Sequence, residues 1–442
     1  MRKYIYTVFI CFCTSFLFAQ KQLNLSMQEA IDYAIKNSYA NKIAKNDIKV
    51  AIKRKWETTT IGLPRIDGKV AYQNNLKQAV LLTDFNNDGI DEELIFGKKQ
   101  TMNATATLSQ LIFDGSYLVG LQAAKTYLKI SEQAKQKTAL ATREAIINAY
   151  GNILVSERLI EILEKNTRVL EKNYKDAKRI NENGLNEQEQ VEQLEITLGN
   201  VQNSLRNAVR LKEIAYQMLN LSLGNDINTK LRLTDSLDSL MLNSSSLALL
   251  SKTFNLNGHI DFKIAENSRE SKRLLMRLEQ SKGLPSLSAF LNYGLAANSN
   301  SFTFLDEKQK WFGSSMFGVN LNIPIFSSLG RSAKTAQAKI ELESADIRLE
   351  EIKQQLNLQT QSAKSEYQLS IENYESAMKN MKLAERIEKK QQIKFFEGIS
   401  SSFDLSQAQN QLYSQQNNYV QSMLNVISKK AALENALNIP LK

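Results

Sequence analysis

GLPRI, residues 62–66, returns as GLPSL, residues 283–287, in a chain of 442 residues that holds only four prolines. Pro64 and Pro285 lie 285 − 64 = 221 positions apart, and three further pairs of landmarks follow in the same order. QLIFDG (Gln110–Gly115) is matched by NIPIFSSLG (Asn322–Gly330). NENGLNEQEQVEQL (Asn181–Leu194) is matched by FFEGISSSFDLSQA (Phe395–Ala408), with Gly184 and Gly398 398 − 184 = 214 apart. LNLSLG (Leu219–Gly224) is matched by LNIPLK (Leu437–Lys442). Ordered pairs at nearly constant separation identify an internal duplication.

Each half reads as helix, strand, strand, long helix, turn and helix. In the first, a helical pattern runs from Ser26 to about Thr60, opened by a capping box of Ser26 and Glu29. Gly62 and Pro64 stop it. Ile66, Gly68, Val70 and Tyr72 then alternate with Asp67, Lys69, Ala71 and Gln73. On the return segment Met102, Ala104, Ala106 and Leu108 alternate with threonines, Asn103 and Ser109. The second half repeats this: Leu287, Ala289, Leu291, Tyr293 and Leu295 share one face. Phe317, Val319, Leu321, Ile323 and Ile325 share another, opposite Gly318, Asn320 and Asn322. Period two predicts strands at about 64–76, 99–113, 285–297 and 311–326. Such strands suit either soluble hairpins packed on a core or membrane strands with one lipid face and one lumen face. Four strands cannot close a barrel, so the membrane reading requires several chains to share one. Thr101, Thr105, Asn320 and Asn322 would make the lumen wet and unselective.

The stretches at about 117–182 and 332–397 contain no proline. As helices each would be roughly 100 Å long at 1.5 Å per residue, too long for an ordinary globular domain. Heptads are visible at Ile146, Ile153, Ile160, Thr167 and Tyr174, with Ala149, Ser156, Leu163, Leu170 and Ala177 three residues later. Tyr367, Tyr374 and Met381 repeat the pattern with Ser370, Ala377 and Ala384. These are coiled-coil seams rich in small residues. Shorter helices at 26–60 plus 187–221, and at 258–282 plus 402–438, roughly match one long helix each. The expected organisation is a leader at 1–19, a first repeat at 20–224, an equatorial connector at 225–257 and a second repeat at 258–442.

The leader has Arg2 and Lys3 before an apolar run from Tyr4 to Phe18, with Ala19 suited to cleavage, the pattern of a secretory signal peptide. Cys11 and Cys13, the two cysteines, fall inside it, so the mature chain is expected to lack thiol and disulfide chemistry. The formal charge of +10 becomes 10 − 2 = +8 without the leader. Acids and bases are interspersed, the pattern of solvated helical surfaces, and a nucleic-acid partner is not expected. His259 is the single histidine, read as structural or solvent-facing. No HExxH, GxxxxGK or GxGxxG motif occurs, so the chain does not read as an enzyme. Between the first two strands, Asp84, Asn86 and Asp88 take the 1, 3, 5 spacing of a calcium loop, with Gly89 at 6, the Ile90 carbonyl at 7 and Glu92 at 9. Ile95 stands where the loop would need a glutamate. The same stretch also reads as a solvated, charged hairpin tip.

Taken together, LNLSMQEAIDYAIKNSYANKIAKNDIKVA near the mature start, GLPRI and GLPSL before strands, LIFDG and IPIFSSLGR after them, and the two glycine-centred turns resemble the TolC-like outer-membrane efflux proteins. The resemblance covers nearly the whole mature chain. It implies a mainly α fold with a small β part, assembled as a homotrimer. Four strands per protomer would form a twelve-stranded barrel in outer-membrane lipid, and the helices an α-barrel tunnel across the periplasm. It implies a passive exit duct of a tripartite efflux or type I secretion system, joined to a periplasmic adaptor (membrane fusion protein) and an inner-membrane pump. The adaptor would meet Gly184 and Leu185 in the first turn and Gly398, Ile399 and Ser400 in the second. Gly62, Pro64, Gly283, Pro285 and Pro324 would be helix–strand joints, with Pro64 and Pro285 at equivalent heights on one rim. Where some family members narrow the tip with acidic residues, this chain has Lys389 and Gln392, with Glu388 and Glu397 shifted from that spacing. A secreted or periplasmic coiled-coil structural protein with a soluble β cap is the alternative.

Overall fold

The computed structural model describes residues 23–84, 89, 91–95, 97–184, 187–245 and 247–440. The expected leader, with Cys11 and Cys13, lies outside the described residues. In chain order the elements are β1 (Leu23–Leu25), α1 (Met27–Asn37), α2 (Tyr39–Thr60), β2 (Arg65–Asn74), β3 (Val80–Thr83), β4 (Glu92–Ile95), β5 (Gln100–Phe113), α3 (Gly115–Glu182), α4 (Gln188–Leu223), β6 (Leu231–Leu233), α5 (Leu237–Ser244), α6 (Ile260–Ser281), β7 (Ser286–Ser299), β8 (Phe312–Asn322), α7 (Gly330–Phe396) and α8 (Ser402–Ala436). They fold as two units. One comprises the described parts of Met1–Ile48, Ser131–Ala265 and Leu349–Lys442; the other comprises those of Lys49–Ile130 and Glu266–Arg348. The order α2, β2, β5, α3, α4 recurs as α6, β7, β8, α7, α8.

The first unit is helical. Ile146, Tyr150, Ile153 and Leu170 on α3 are fully buried, as is Tyr367 on α7, so the heptad stripes face the core. Tyr150 and Tyr367, 367 − 150 = 217 apart, play matching parts. The Tyr150 hydroxyl donates to the Leu25 carbonyl at 3.0 Å and accepts from the Asp235 amide at 3.2 Å. The Tyr367 hydroxyl donates to the Ser244 carbonyl at 2.5 Å. Each therefore pins a short segment beside a long helix. Leu23–Leu25 pairs in parallel with Leu231–Leu233, and the region expected as an equatorial connector carries this strand and α5. Strands of three residues are too short to leave a period in the sequence.

The helix expected to run unbroken from Ser26 to Thr60 is interrupted at Ser38, which takes φ −59° and ψ 148°. Gly224 explains the break. It ends α4 at φ 79°, and a Cβ there would lie 2.3 Å from the Asn37 carbonyl oxygen. The chain turns aside to admit that close approach, and the Asn41 amide bonds the Ser38 hydroxyl at 2.9 Å as α2 begins. The Ser26–Glu29 capping box forms as read from the sequence.

His259 is buried, at 4% exposure, rather than solvent-facing. Its Nδ1 accepts the Asp261 amide at 3.2 Å, at the start of α6. Burial pushes its pKa down, partly opposed by Asp261. A depressed folded-state pKa means protonation favours the unfolded chain. This contribution to stability is complete above the ordinary value of 6.5 and is lost as pH falls below it. The melting temperature is expected to fall between pH 7 and pH 5 more steeply in the native protein than in His259→Asn, as read by circular dichroism.

The second unit holds a four-stranded antiparallel sheet in the order β2-β5-β7-β8. The strand expected at about 311–326 ends at Asn322, so Ile323 and Ile325 leave its face. Pro324 follows, with no N–H to continue the ladder. Ser328 and Leu329 then adopt left-handed φ of 46° and 62°. The Arg331 guanidinium braces this return by donating to the Pro324 carbonyl at 3.0 Å. A separate two-stranded hairpin, β3 with β4, leads to the acidic loop. Read from the sequence this stretch is a tip alone, because four-residue strands give little alternation to count.

Candidate functional site

Register sorts the sheet into two chemically different faces. On one, Ile66, Leu108, Leu291 and Phe317 stand in a row. Val70, Ala104, Leu295 and Gly313 form a second row, with Tyr72, Met102 and Ala297 beyond it. No charged residue occupies this face, yet Ile66 is 73% exposed and Phe317 70%. The other face carries Arg65, Asp67 and Lys69 on β2, then the hydroxyls and amides of β5. The Arg65 and Asp67 side chains pair at 2.9 Å. The apolar run from Leu287 to Ala297 spans about 33 Å along the strand, or about 25 Å for a strand tilted by ~40°. Among the described residues, the outer strands β2 and β8 each have a partner on one side only. At the end of the sheet away from Arg65, Tyr72, Phe302 and Phe304 make an edge-to-face trio with centroids 5.6 to 5.9 Å apart.

The Gly-Leu-Pro joints open β2 and β7 at the same end of this sheet. Arg65 registers with Ser109 and Ser109 with Phe290, so Pro64 is level with Ala289. Pro285 therefore sits 289 − 285 = 4 positions further along. Measured along the strands, the two prolines are offset by about 13 Å at 3.3 Å per residue. Inclined strands produce such offsets. Gly62 is needed for the first joint: a Cβ there would lie 2.4 Å from the Tyr117 hydroxyl, which donates to the Thr59 carbonyl at 3.1 Å. At the second joint Leu284 fills the space beside Gly115, whose Cβ would meet it at 2.7 Å. Gly283 is less constrained: a Cβ there would lie 3.3 Å from the Gln280 carbonyl oxygen.

The two glycine turns come together at one end of the first unit. Ala177 of α3, Leu194 of α4, Phe395 of α7 and Leu405 of α8 form one buried cluster. Gly184 and Gly398 take φ of 74° and 71°, with open space where a side chain would project. Leu185 lies outside the described residues. Ile399 is 70% exposed and Phe403 67%, so the second turn presents apolar surface. The Ser400 hydroxyl bonds Gln391 at 3.2 Å and Asp404 at 3.3 Å. A Ser401–Asp404 capping box starts α8.

Above the turns the seam between hairpins is polar, which sequence reading missed. The Asn166 amide donates to Gln416 at 2.8 Å and the Gln392 amide to Asn173 at 3.1 Å. Asn173 follows Asn166 by seven residues and Gln409 precedes Gln416 by seven, all four buried. The spacing was there to be read, but amides on a helix usually signal a wet face. Glu388, one of the acids shifted from the family's tip-narrowing spacing, is held above its ordinary range by burial, offset in part by the Gln409 amide. Lys389 is exposed.

At the acidic loop, the Asp84 carboxylate accepts the Gly89 amide at 2.9 Å, and Glu92 registers with Thr83. Asn86, Asp88 and Ile90 lie outside the described residues. Among the described residues, no three of His, Cys, Asp and Glu gather as a metal site. No described helix is long and apolar enough to cross a membrane.

Residues 256–438 match the family model described as outer membrane efflux protein. Among characterised proteins, the toluene efflux pump outer membrane protein TtgC of Pseudomonas putida is 25% identical over 220 residues, covering 50% of this chain and 44% of that protein. The antibiotic efflux pump outer membrane protein ArpC, also of Pseudomonas putida, matches to the same extent. The match thus spans less than half the length of either relative. Among solved structures, the outer membrane protein VceC of Vibrio cholerae superposes with a TM-score of 0.73 at 15% identity, covering 94% of this chain and 97% of that one. The open state of the MtrE outer membrane channel of Neisseria gonorrhoeae gives 0.70 at 17% identity, covering 94% and 89%. At these identities the superpositions establish the fold.

Proposed function

We propose that this chain, which resembles the TolC-like outer-membrane efflux proteins in the sequence of its second half and in its fold along nearly its whole length, is the passive exit duct of a tripartite efflux or type I secretion system. The observation that carries the reading is the two-faced sheet. An uncharged apolar face exposed across all four strands would be an aggregation hazard on a soluble protein. Against lipid it is stable, with the polar face lining water. Backbone groups along the outer edges of β2 and β8 need partners in a bilayer. A homotrimer supplies them by joining β8 of one protomer to β2 of the next, giving twelve strands in the outer membrane of a Gram-negative cell. The aromatic trio fits a membrane–water interface. No catalytic step is part of this role.

The turns at Gly184 and Gly398 are proposed as the contacts for the periplasmic adaptor, which links the duct to an inner-membrane pump. Exposed Ile399 and Phe403 offer the apolar anchors such docking needs. Ile399→Asp is expected to abolish export and adaptor cross-linking while leaving the trimer in the outer-membrane fraction. Unchanged export would remove the turn from the interface. A mature chain that is soluble and monomeric without detergent would overturn the duct and favour the coiled-coil structural alternative. Calcium at Asp84, Asn86, Asp88, Ile90 and Glu92 is kept as a proposal from their spacing; no other cofactor is proposed. Titration calorimetry should give calcium uptake that Asp88→Ala removes, and no uptake by the native protein would end it.

A further inference from the structure

The polar face of the sheet is not uniformly polar. Its β2 and β5 half carries charges, hydroxyls and amides, whereas Phe290, Met316 and Phe312 lie on the β7 and β8 half. The expectation of a wet, unselective lumen rests on threonines and asparagines and leaves these side chains out. Arg65, Ser109, Phe290 and Gly318 stand side by side across the four strands. A Cβ on Gly318 would lie 2.4 Å from the tip of the Phe290 ring. The ring therefore leans over Gly318 and lies along the sheet instead of standing off it. Beside it is a recess of about 790 Å³, lined among others by Ser109, Ser288, Asn292 and Asn320 and by the charged Glu57 and Arg65. A cavity of this size suits a small organic molecule. An aromatic wall with amide and hydroxyl groups on its rim can stack a ring and bond its polar substituent.

We propose that the Phe290–Gly318 recess is a transit subsite for small amphipathic aromatic molecules, with Gly318 the residue that keeps the ring flat and the passage open. The proposal rests on the duct reading, which makes this face the lumen. Three apolar side chains set among the serines and asparagines of β7 and β8 give an amphipathic wall, suited to cargo with an aromatic body and a polar group. Peptide cargo gains little from three apolar side chains set on one strand pair.

The test is single-channel recording of the purified full-length protein in planar bilayers, with 2-naphthol or cyclohexanol added. Native channels are expected to show brief blockades with 2-naphthol and none with cyclohexanol. Phe290→Ala is expected to shorten the naphthol blockades about tenfold, the loss of one aromatic contact and its buried area. Gly318→Val fills the ring's resting place and is expected to have the same effect even if the alanine variant fails to assemble. Naphthol blockades unchanged in either assembled variant, or equal blockade by cyclohexanol, would overturn the subsite and leave the duct standing. No conductance from the native protein would overturn the duct itself.

Discussion

Ala104→Arg is expected to empty the outer-membrane fraction of assembled protein. Ala104 occupies the row Val70, Ala104, Leu295, Gly313, near the middle of the apolar face. An arginine facing lipid at mid-depth costs about 2–4 kcal/mol. In a trimer the cost is met three times, so about 6–12 kcal/mol opposes assembly, comparable to the whole stability of an ordinary domain. Thr105→Arg is the control. Its neighbours in the row are Lys69, Gly294 and Ser314, on the face proposed to line water. Trimer yield after membrane fractionation should collapse for Ala104→Arg and hold for Thr105→Arg. Equal yields would mean that the apolar face does not meet lipid.

Tyr150→Ala is expected to cost about 3–5 kcal/mol, the usual range for emptying a large aromatic site in a core. Tyr150 is fully buried and joins α3 to the β1 segment and to Asp235 through its hydroxyl. Truncation would leave a cavity and strip the Leu25 carbonyl and the Asp235 amide of one partner each. Tyr150→Phe removes the hydroxyl alone and should cost about 1–2 kcal/mol. Chemical denaturation of the detergent-solubilised protein separates the two: the midpoint should fall slightly for phenylalanine and steeply for alanine. Similar losses would mean that the hydroxyl dominates.

The repeat, the strands and the long helices were legible because each rests on many residues acting alike. Thr101 to Ser109 alternate without a break, and the faces read from them are those of the sheet. What escaped depends on single approaches between distant segments. Nothing local at Ser38 reveals that Gly224 will press on Asn37. His259 reads as structural or solvent-facing, and only the chain folded around it decides for the buried, structural reading. Phe290 reads as one more large residue in an alternating strand until Gly318, 318 − 290 = 28 positions later, is found beside it. The site was legible in part: the turns at Gly184 and Gly398 are visible as glycines between helices, whereas the amide ladder above them needs both hairpins in place.

Cysteine scanning of β5 tests the central claim most directly. The chain's two cysteines lie at positions 11 and 13, in the expected leader, so single substitutions give a clean background. Positions 101 to 109 would be replaced one at a time and labelled in intact outer membranes with a membrane-impermeant maleimide. Odd positions, from Thr101 to Ser109, should label from the water-filled lumen, and even positions, from Met102 to Leu108, should stay protected by lipid. Labelling at even and odd positions alike would contradict a membrane barrel, and protection of the odd positions alone would turn its faces inside out.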